Sequence, residues 1–234
     1  MELRNQLPAR HELKYFIHPA EMEALRRRLR PVLRPDAHCV NGKPYTVRSL
    51  YFDDIDDSAY YDKLSGVMHR DKYRIRIYGY SDQEIFLERK RKMGDLIQKS
   101  STRITRRLCN QMIKGDPKGL FRSKSPLVQD LYVQMRTRLL RPSVIVDYER
   151  EAWLFPVQNV RITFDTHLRS GLSSTELFDP AVATVSPRDN SAEILEVKYD
   201  NFMPDFIAGL LDSVRAERSA ISKYVLCRRF EPLN

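Results

Sequence analysis

Leu127, Leu131, Met135 and Leu139 recur at every fourth position after Ser125-Pro126, with Val128 and Tyr132 beside them. This period predicts an amphipathic helix, closed by Pro142. The segment after His18-Pro19 predicts another, with Pro at the first helical position, Glu21 and Glu23 in the first turn, and Pro31 and Pro35 beyond its end. Elsewhere the apolar period is two. Residues 45–52, 72–80, 84–91, 99–107, 143–150, 159–167 and 192–199 read as strands, with a hairpin turn around 79–83. A short helix is expected near 108–114, and Pro204 opens another over 205–215. Residues 224–230 read as a final strand, and the polar stretch 171–190 as a surface excursion. No Gly/Ser linker and no internal repeat divides the chain, so residues 1–234 are expected to form a single domain. Strands outnumber helices and their connections suit antiparallel pairing, which predicts an α+β fold.

The strands carry an unusual parity. Lys72, Arg74 and Arg76 share one face, and Tyr73, Ile75 and Ile77 the other. Phe86, Glu88 and Lys90 alternate with Ile85 and Leu87, and Ile194, Glu196 and Lys198 with Leu195, Val197 and Tyr199. Arg161 and Thr163 oppose Val160, Ile162 and Phe164, while Lys99, Ser101, Arg103 and Thr105 share a parity. In one strand this describes a solvated sheet face. In five strands it also fits a barrel whose lumen is charged and whose apolar side faces outward onto helices. A barrel of about eight strands has just enough interior for side chains or one small ligand. A lumen crowded with Arg and Lys calls for a compensating anion.

Composition sharpens that picture. Lys and Arg number 40 against 31 Asp and Glu, a net charge of +9. Arg outnumbers Lys, which favours a phosphate-rich or otherwise acidic partner; nucleic acid, nucleotides, polyphosphate and a membrane surface all qualify. The 3 cysteines (Cys39, Cys109 and Cys227) are odd in number and far apart, which speaks against a disulfide framework or a four-cysteine zinc site. The N-terminus has no apolar signal region, and the longest apolar run, 206–211, is far short of the ~20 residues that span a bilayer. The expectation is a cytoplasmic protein with no transmembrane segment. Asp53, Asp54, Asp56 and Asp57 lack the Gly and closing Glu of a calcium loop and read as a solvated loop. Arg26, Arg27 and Arg28 read as a solvated helix face, Trp153 as structural, and the histidines show no metal spacing. No Gly-rich phosphate loop or nucleophile elbow occurs.

A series of short motifs then falls in a recognisable order: His11-Glu-Leu-Lys-Tyr, Leu50-Tyr-Phe-Asp-Asp, Lys72-Tyr-Arg-Ile-Arg-Ile-Tyr, Leu87-Glu-Arg-Lys, Val146-Asp-Tyr-Glu-Arg, Val160-Arg-Ile-Thr-Phe-Asp, Leu195-Glu-Val-Lys-Tyr and Ser222-Lys-Tyr. Each is weak alone, but together, over nearly the whole chain, they resemble the VTC domain. This is the polyphosphate polymerase domain of the vacuolar transporter chaperone family, a branch of the CYTH / triphosphate tunnel metalloenzymes. The resemblance implies an antiparallel β-barrel tunnel with helices packed outside. It implies transfer of the γ-phosphate of ATP to a growing polyphosphate chain, with Mn²⁺ or Mg²⁺ as cofactor.

Carried over motif by motif, the resemblance implies phosphate binding by Lys14, Arg74, Arg76, Lys90, Lys99, Arg161, Lys198 and Lys223. It gives Arg74, Arg76, Lys90 and Glu196 the catalytic roles, with Glu196 the metal ligand. Glu12 and Glu88 read either as further ligands or as partners of the lumen cations. Eukaryotic members carry a further Lys where this chain has Ala220. The first strand has Glu12-Leu-Lys14 without the full Glu-x-Glu-x-Lys of the hydrolytic branch, which tilts the reading toward polymerisation. The alternatives are a triphosphatase and a non-catalytic polyphosphate- or polyanion-binding module. Tyr73 and Tyr78 do not share the basic face, which counts against single-stranded RNA as the partner.

Overall fold

The computed structural model describes residues 11–39, 42–94, 96–187, 192–212 and 214–229. Its elements run β1 (His11–Ile17), α1 (Pro19–Leu29), β2 (Arg34–Pro35), β3 (Tyr45–Asp53), α2 (Ser58–Leu64), β4 (His69–Tyr78), β5 (Phe86–Met93), β6 (Leu96–Arg103), α3 (Arg106–Ile113), α4 (Pro126–Thr137), β7 (Arg141–Phe155), β8 (Val160–Ser170), β9 (Glu193–Tyr199), α5 (Asp205–Asp212), β10 (Ala216–Arg218) and α6 (Lys223–Arg228). The strands form one antiparallel sheet in the order β10-β1-β9-β8-β7-β3-β4-β5-β6, and β2 pairs with β7. Five strands separate β1 from β5 along that path. Yet Lys90 of β5 lies 2.5 Å from Glu12 of β1. The sheet therefore curls back on itself, and its concave face encloses a tunnel.

Period-two alternation sorts the side chains between the two faces. On one half of the convex face Leu50, Phe52, Tyr73, Ile75, Ile77 and Leu87 pack under α3 and α4, through Cys109, Met112, Leu127, Leu131 and Met135. On the other half Ile162, Phe164, Leu195 and Val197 meet Met22, Leu25 and Leu29 of α1 and Ile207 of α5. The concave face is charged only in part. Val47, Tyr51, Val144, Val146, Tyr148 and Ile194 pack there against Ile221, Tyr224 and Cys227.

These last contacts replace the expected final strand with a helix. Ser222 caps α6 by accepting from the amide of Val225, and Ile221, Tyr224 and Cys227 lie at three-residue spacing on one buried stripe. Other expectations also change. Pro142 lies inside β7, at its edge, rather than closing α4, which ends at Thr137. The 171–190 excursion is anchored as far as it is described. Leu177 is buried, and Arg48, in a buried two-fold pair with Asp147 (2.8 and 2.7 Å), donates to the carbonyls of Leu177 and Asp179. Residues 188–190 lie outside the described residues.

The acidic run is not a solvated loop. Asp53, Asp54 and Asp57 are buried, and Asp56 alone of the four is exposed. Asp53 accepts from the amides of Asp54, Ala59 and Tyr60, capping α2, and from the hydroxyl of Tyr224. Asp54 accepts from the amide of Ser58 and from Arg138, and Asp57 pairs with Arg228. The run thus builds the N-terminus of α2 and fastens α6 to it. Arg26 is likewise not a solvated residue: it donates to the buried Glu151 at 2.8 Å.

Candidate active site in a cationic tunnel

The concave face that α6 leaves open borders a cavity of about 1080 Å³. It is lined by fifteen Lys and Arg side chains against four Asp and Glu. All nine residues carried over from the motif series line it: Lys14, Arg74, Arg76, Lys90, Lys99, Arg161, Glu196, Lys198 and Lys223. Seven distinct elements supply them. Parity explains why: each of the eight strand residues stands on the concave side of its strand, and Lys223 opens α6.

Register brings them into rows. Lys14 stands opposite Glu196 and Glu12 opposite Lys198 across β1–β9, and Lys198 opposite Arg161 across β8–β9. On the other wall Arg74 stands opposite Glu88, and Lys72, Lys90 and Lys99 form a ladder across β4, β5 and β6. Like charges directly opposite on a sheet are destabilising. Three lysines in register thus mark a place where folding is sacrificed to charge density.

A few carboxylates hold the cations in place. Glu88 accepts from Arg74 (2.8 Å from Nε, 2.7 Å from Nη2), reaches Arg76 at 3.4 Å and Lys99 at 2.6 Å. Burial opposes its charge, but Arg74 and Lys99 outweigh that and hold its pKa below the usual carboxylate value. Arg74 also donates to the hydroxyl of Tyr51 at 2.8 Å. The Nε of Arg76 is buried without a hydrogen-bond partner. Glu12 pairs with Lys90 at 2.5 Å, Lys14 at 3.5 Å and Lys198 at 3.6 Å. Arg161 pairs with Asp36 at 2.9 Å. Glu12 and Glu88 thus both act as partners of lumen cations.

Glu196 is as buried as Glu88. Lys198 lies 2.5 Å and Arg150 3.6 Å from its carboxylate. Burial penalises that charge, yet Lys198 and Lys14 hold its pKa well below the usual range. Lys14 is subject to the reverse: burial pulls its pKa down, and Glu196 and Glu12 raise it overall. Lys90 loses the contest. Desolvation and then Lys14 draw its pKa down to about 8 against the pull of Glu12. Among the described residues no three of His, Cys, Asp and Glu converge as a metal cluster. The donor set is a pair: Glu196 and Glu12 stand on the neighbouring strands β9 and β1 and share Lys198, at 2.5 and 3.6 Å. Two carboxylates fit Mg²⁺ or Mn²⁺, whose other positions are commonly filled by water and substrate phosphates.

Several lining residues escaped the motif reading. Arg150 is buried against Asp165 (2.6 and 2.7 Å), which also takes Lys223 at 2.5 Å. The alternation of Tyr148 and Arg150 in the Val146-Asp-Tyr-Glu-Arg motif carries that signal. His38, Tyr45 and Tyr78 cluster with ring centroids 5.0 to 5.9 Å apart, and all three line the cavity. His38 comes from a loop, so no strand parity could place it. Ala220 lines the cavity too.

The sequence model of the VTC domain matches residues 9–230. A comparison with curated proteins finds no match. Among solved structures, HpAC1 from Hippeastrum, a candidate adenylyl cyclase described as having a dominant triphosphatase activity, superposes with a TM-score of 0.55 at 16% identity, covering 95% of this chain and 96% of its own. A candidate adenylate cyclase from Bacillus halodurans superposes with a TM-score of 0.51 at 12% identity, covering 88% of this chain and 87% of its own. At these identities the likeness is one of fold.

Proposed function

The chain belongs to the VTC domain family, and from that membership and the cationic cavity we propose that it is a polyphosphate polymerase-like phosphotransferase. In this reading the γ-phosphate of ATP passes to the end of a polyphosphate chain. The bond between the γ-phosphorus and its bridging oxygen breaks, ADP leaves, and a terminal oxygen of the chain forms the new P–O bond. The observation that carries the reading is the convergence of Arg74, Arg76, Lys90 and Arg161 on one cavity.

Phosphoryl transfer asks a protein mainly for positioning and charge stabilisation. Arg74 is oriented beforehand by Glu88 and Tyr51, so its fork meets phosphate oxygens without losing further freedom. Lys14, Lys90, Lys99, Lys198 and Lys223 add point charges along the path. Glu196, with Glu12, would hold the divalent cation. That cation, Mn²⁺ or Mg²⁺, would supply charge neutralisation on the transferring phosphate. No helix among the described residues is long and apolar enough to cross a membrane.

Triphosphate hydrolysis is the second reading, favoured by the triphosphatase activity described for HpAC1. Incubation with ATP and Mn²⁺ separates the two. Polyphosphate plus ADP is expected. Inorganic phosphate as sole phosphate product would make the protein a triphosphatase. Untouched ATP together with tight polyphosphate binding would make it a binding module.

Both readings share a simpler expectation. Calorimetry with tripolyphosphate should detect binding whose affinity falls steeply with salt, because the Debye length shrinks from about 30 Å at 0.01 M to about 3 Å at 1 M. No heat at low salt would overturn the tunnel as a phosphate site.

A further inference from the structure

Most cations of the cavity have a carboxylate partner; Arg218 of β10 and a group of four around β4 have no ion pair among the described residues. Those carried by the motif series each have a carboxylate: Glu12, Glu88, Glu196, Asp36 or Asp165. Lys63, Arg70, Lys72 and Lys92 line the same cavity and form no ion pair among the described residues. Lys72 donates to the hydroxyl of Ser222 at 3.2 Å and lies 4.8 Å from the ring centre of Tyr224. Arg70 donates to the carbonyl of Val67. The nearest carboxylates are otherwise engaged or remote: Asp53 caps α2 and holds Tyr224, Asp71 pairs with Arg91 at 2.7 Å, and Asp62 acts on Arg70 only through its field.

The four belong to one place. Arg70 stands opposite Lys92 and Lys72 opposite Lys90 across β4–β5, and Lys63 lies on α2, which packs on β4. Burial and mutual repulsion both act on them. Desolvation first, then Arg70, Lys63 and Lys14, bring Lys72 down to about 7. Desolvation, Arg70, Lys14 and Lys92 likewise lower Lys63. Four neighbouring cations without counter-charge cost stability, and a bound polyanion would remove that cost.

We infer that this end of the tunnel is a second anion subsite, which takes the far end of a linear phosphate chain whose reacting end is held by Arg74 and Arg76. The inference rests on the phosphate reading of the tunnel. The Arg70/Lys92 row lies four residues along the strands from the Arg74/Glu88 row, roughly 14 Å at about 3.4 Å per residue. Chain length is therefore what the subsite senses. A triphosphate gripped at the centre leaves it empty, and a long chain fills it.

The test compares tripolyphosphate with long-chain polyphosphate by calorimetry, on the wild-type protein and on the Lys63→Ala/Arg70→Ala/Lys92→Ala variant. The wild type should bind the long chain more tightly than tripolyphosphate. The variant should lose on the order of tenfold or more in long-chain affinity and keep tripolyphosphate affinity within about twofold. The ratio between the two proteins cancels the statistical advantage of a ligand with many equivalent sites. If the variant does not fold, Lys92→Glu alone should give the same selective loss. Undiminished long-chain binding by a folded variant, with tripolyphosphate binding intact, overturns the subsite and leaves the tunnel reading standing. Failure of the wild type to bind either ligand overturns the tunnel reading itself. Val67, Met68, Met93 and Leu96 are exposed beside this mouth, so sedimentation with phosphatidylserine vesicles forms a third arm. Loss of vesicle binding in the variant without loss of long-chain affinity would assign the four cations to a lipid surface and overturn the proposal.

Discussion

Glu196→Gln is expected to lower turnover of ATP by about 100- to 1,000-fold, the usual effect of removing one preorganised electrostatic group, without weakening tripolyphosphate binding. The amide keeps the shape of the carboxylate and removes one negative charge from a cavity that has few. Lys198 keeps Glu12 as a partner at 3.6 Å, and Arg150 keeps Asp165. The cationic walls therefore remain, and affinity for a polyanion holds or rises. The carboxylate pair with Glu12 is lost, so the Mn²⁺ concentration giving half-maximal rate should increase. An unchanged metal dependence would overturn Glu196 as the metal ligand. Weakened tripolyphosphate binding would give it a different role, as the group that positions Lys14 and Lys198. Arg74→Ala makes the contrast. It removes a guanidinium that would touch phosphate before and during transfer, so binding and rate fall together.

The half of this arrangement that the sequence could reveal is the half written in parity. Lys72, Arg74, Arg76, Glu88, Lys90, Arg161, Glu196 and Lys198 all lie in strands where alternation alone assigns a face, and one charged face in five strands implied a common interior. Parity cannot say which interior positions are filled by protein. Tyr51, Tyr148 and Ile194 share the concave face with the charged residues, yet they end beneath α6. The segment that covers them reads as a strand, because Tyr224 and Val225 have high β preference and a short apolar run does not fix its own period. Tertiary packing decided it. The cap at Ser222 and the bond from Tyr224 to Asp53, 171 residues away, are visible only in three dimensions. The acidic run deceives for the same reason. Four aspartates in five positions look solvated until three of them turn out to cap α2 or to take Tyr224, Arg138 and Arg228 as partners. Counter-charges were equally invisible. Nothing near Arg161 in sequence points to Asp36, and nothing near Lys90 points to Glu12.

That dependence on distant partners makes Asp165→Asn the most damaging single change expected for the fold. Asp165 is buried and takes Arg150 through two bonds and Lys223 through a third. Burial disfavours its charge, but Arg150 and Lys223 more than compensate, and its pKa lies below the usual carboxylate value. Neutralising it removes the two-bond partner of the buried Arg150 and the partner of the half-buried Lys223, and breaking a buried pair typically costs about 3–5 kcal/mol. Lys223 opens α6, so the loss also loosens the helix that floors the tunnel. The pH dependence fixes the cause. A carboxyl whose pKa is lower in the folded state stabilises fully above its unfolded value of about 3.9, and that stabilisation disappears as pH falls through the folded value. Urea midpoints of wild type and variant should therefore be far apart near pH 7 and draw together only in acid, below the usual carboxylate range. A gap that persisted unchanged into acid would mean that the variant fails through packing. Equal midpoints at neutral pH would mean that Glu196, 3.6 Å from Arg150, suffices to hold that guanidinium and that Asp165 is not the keystone of the tunnel floor.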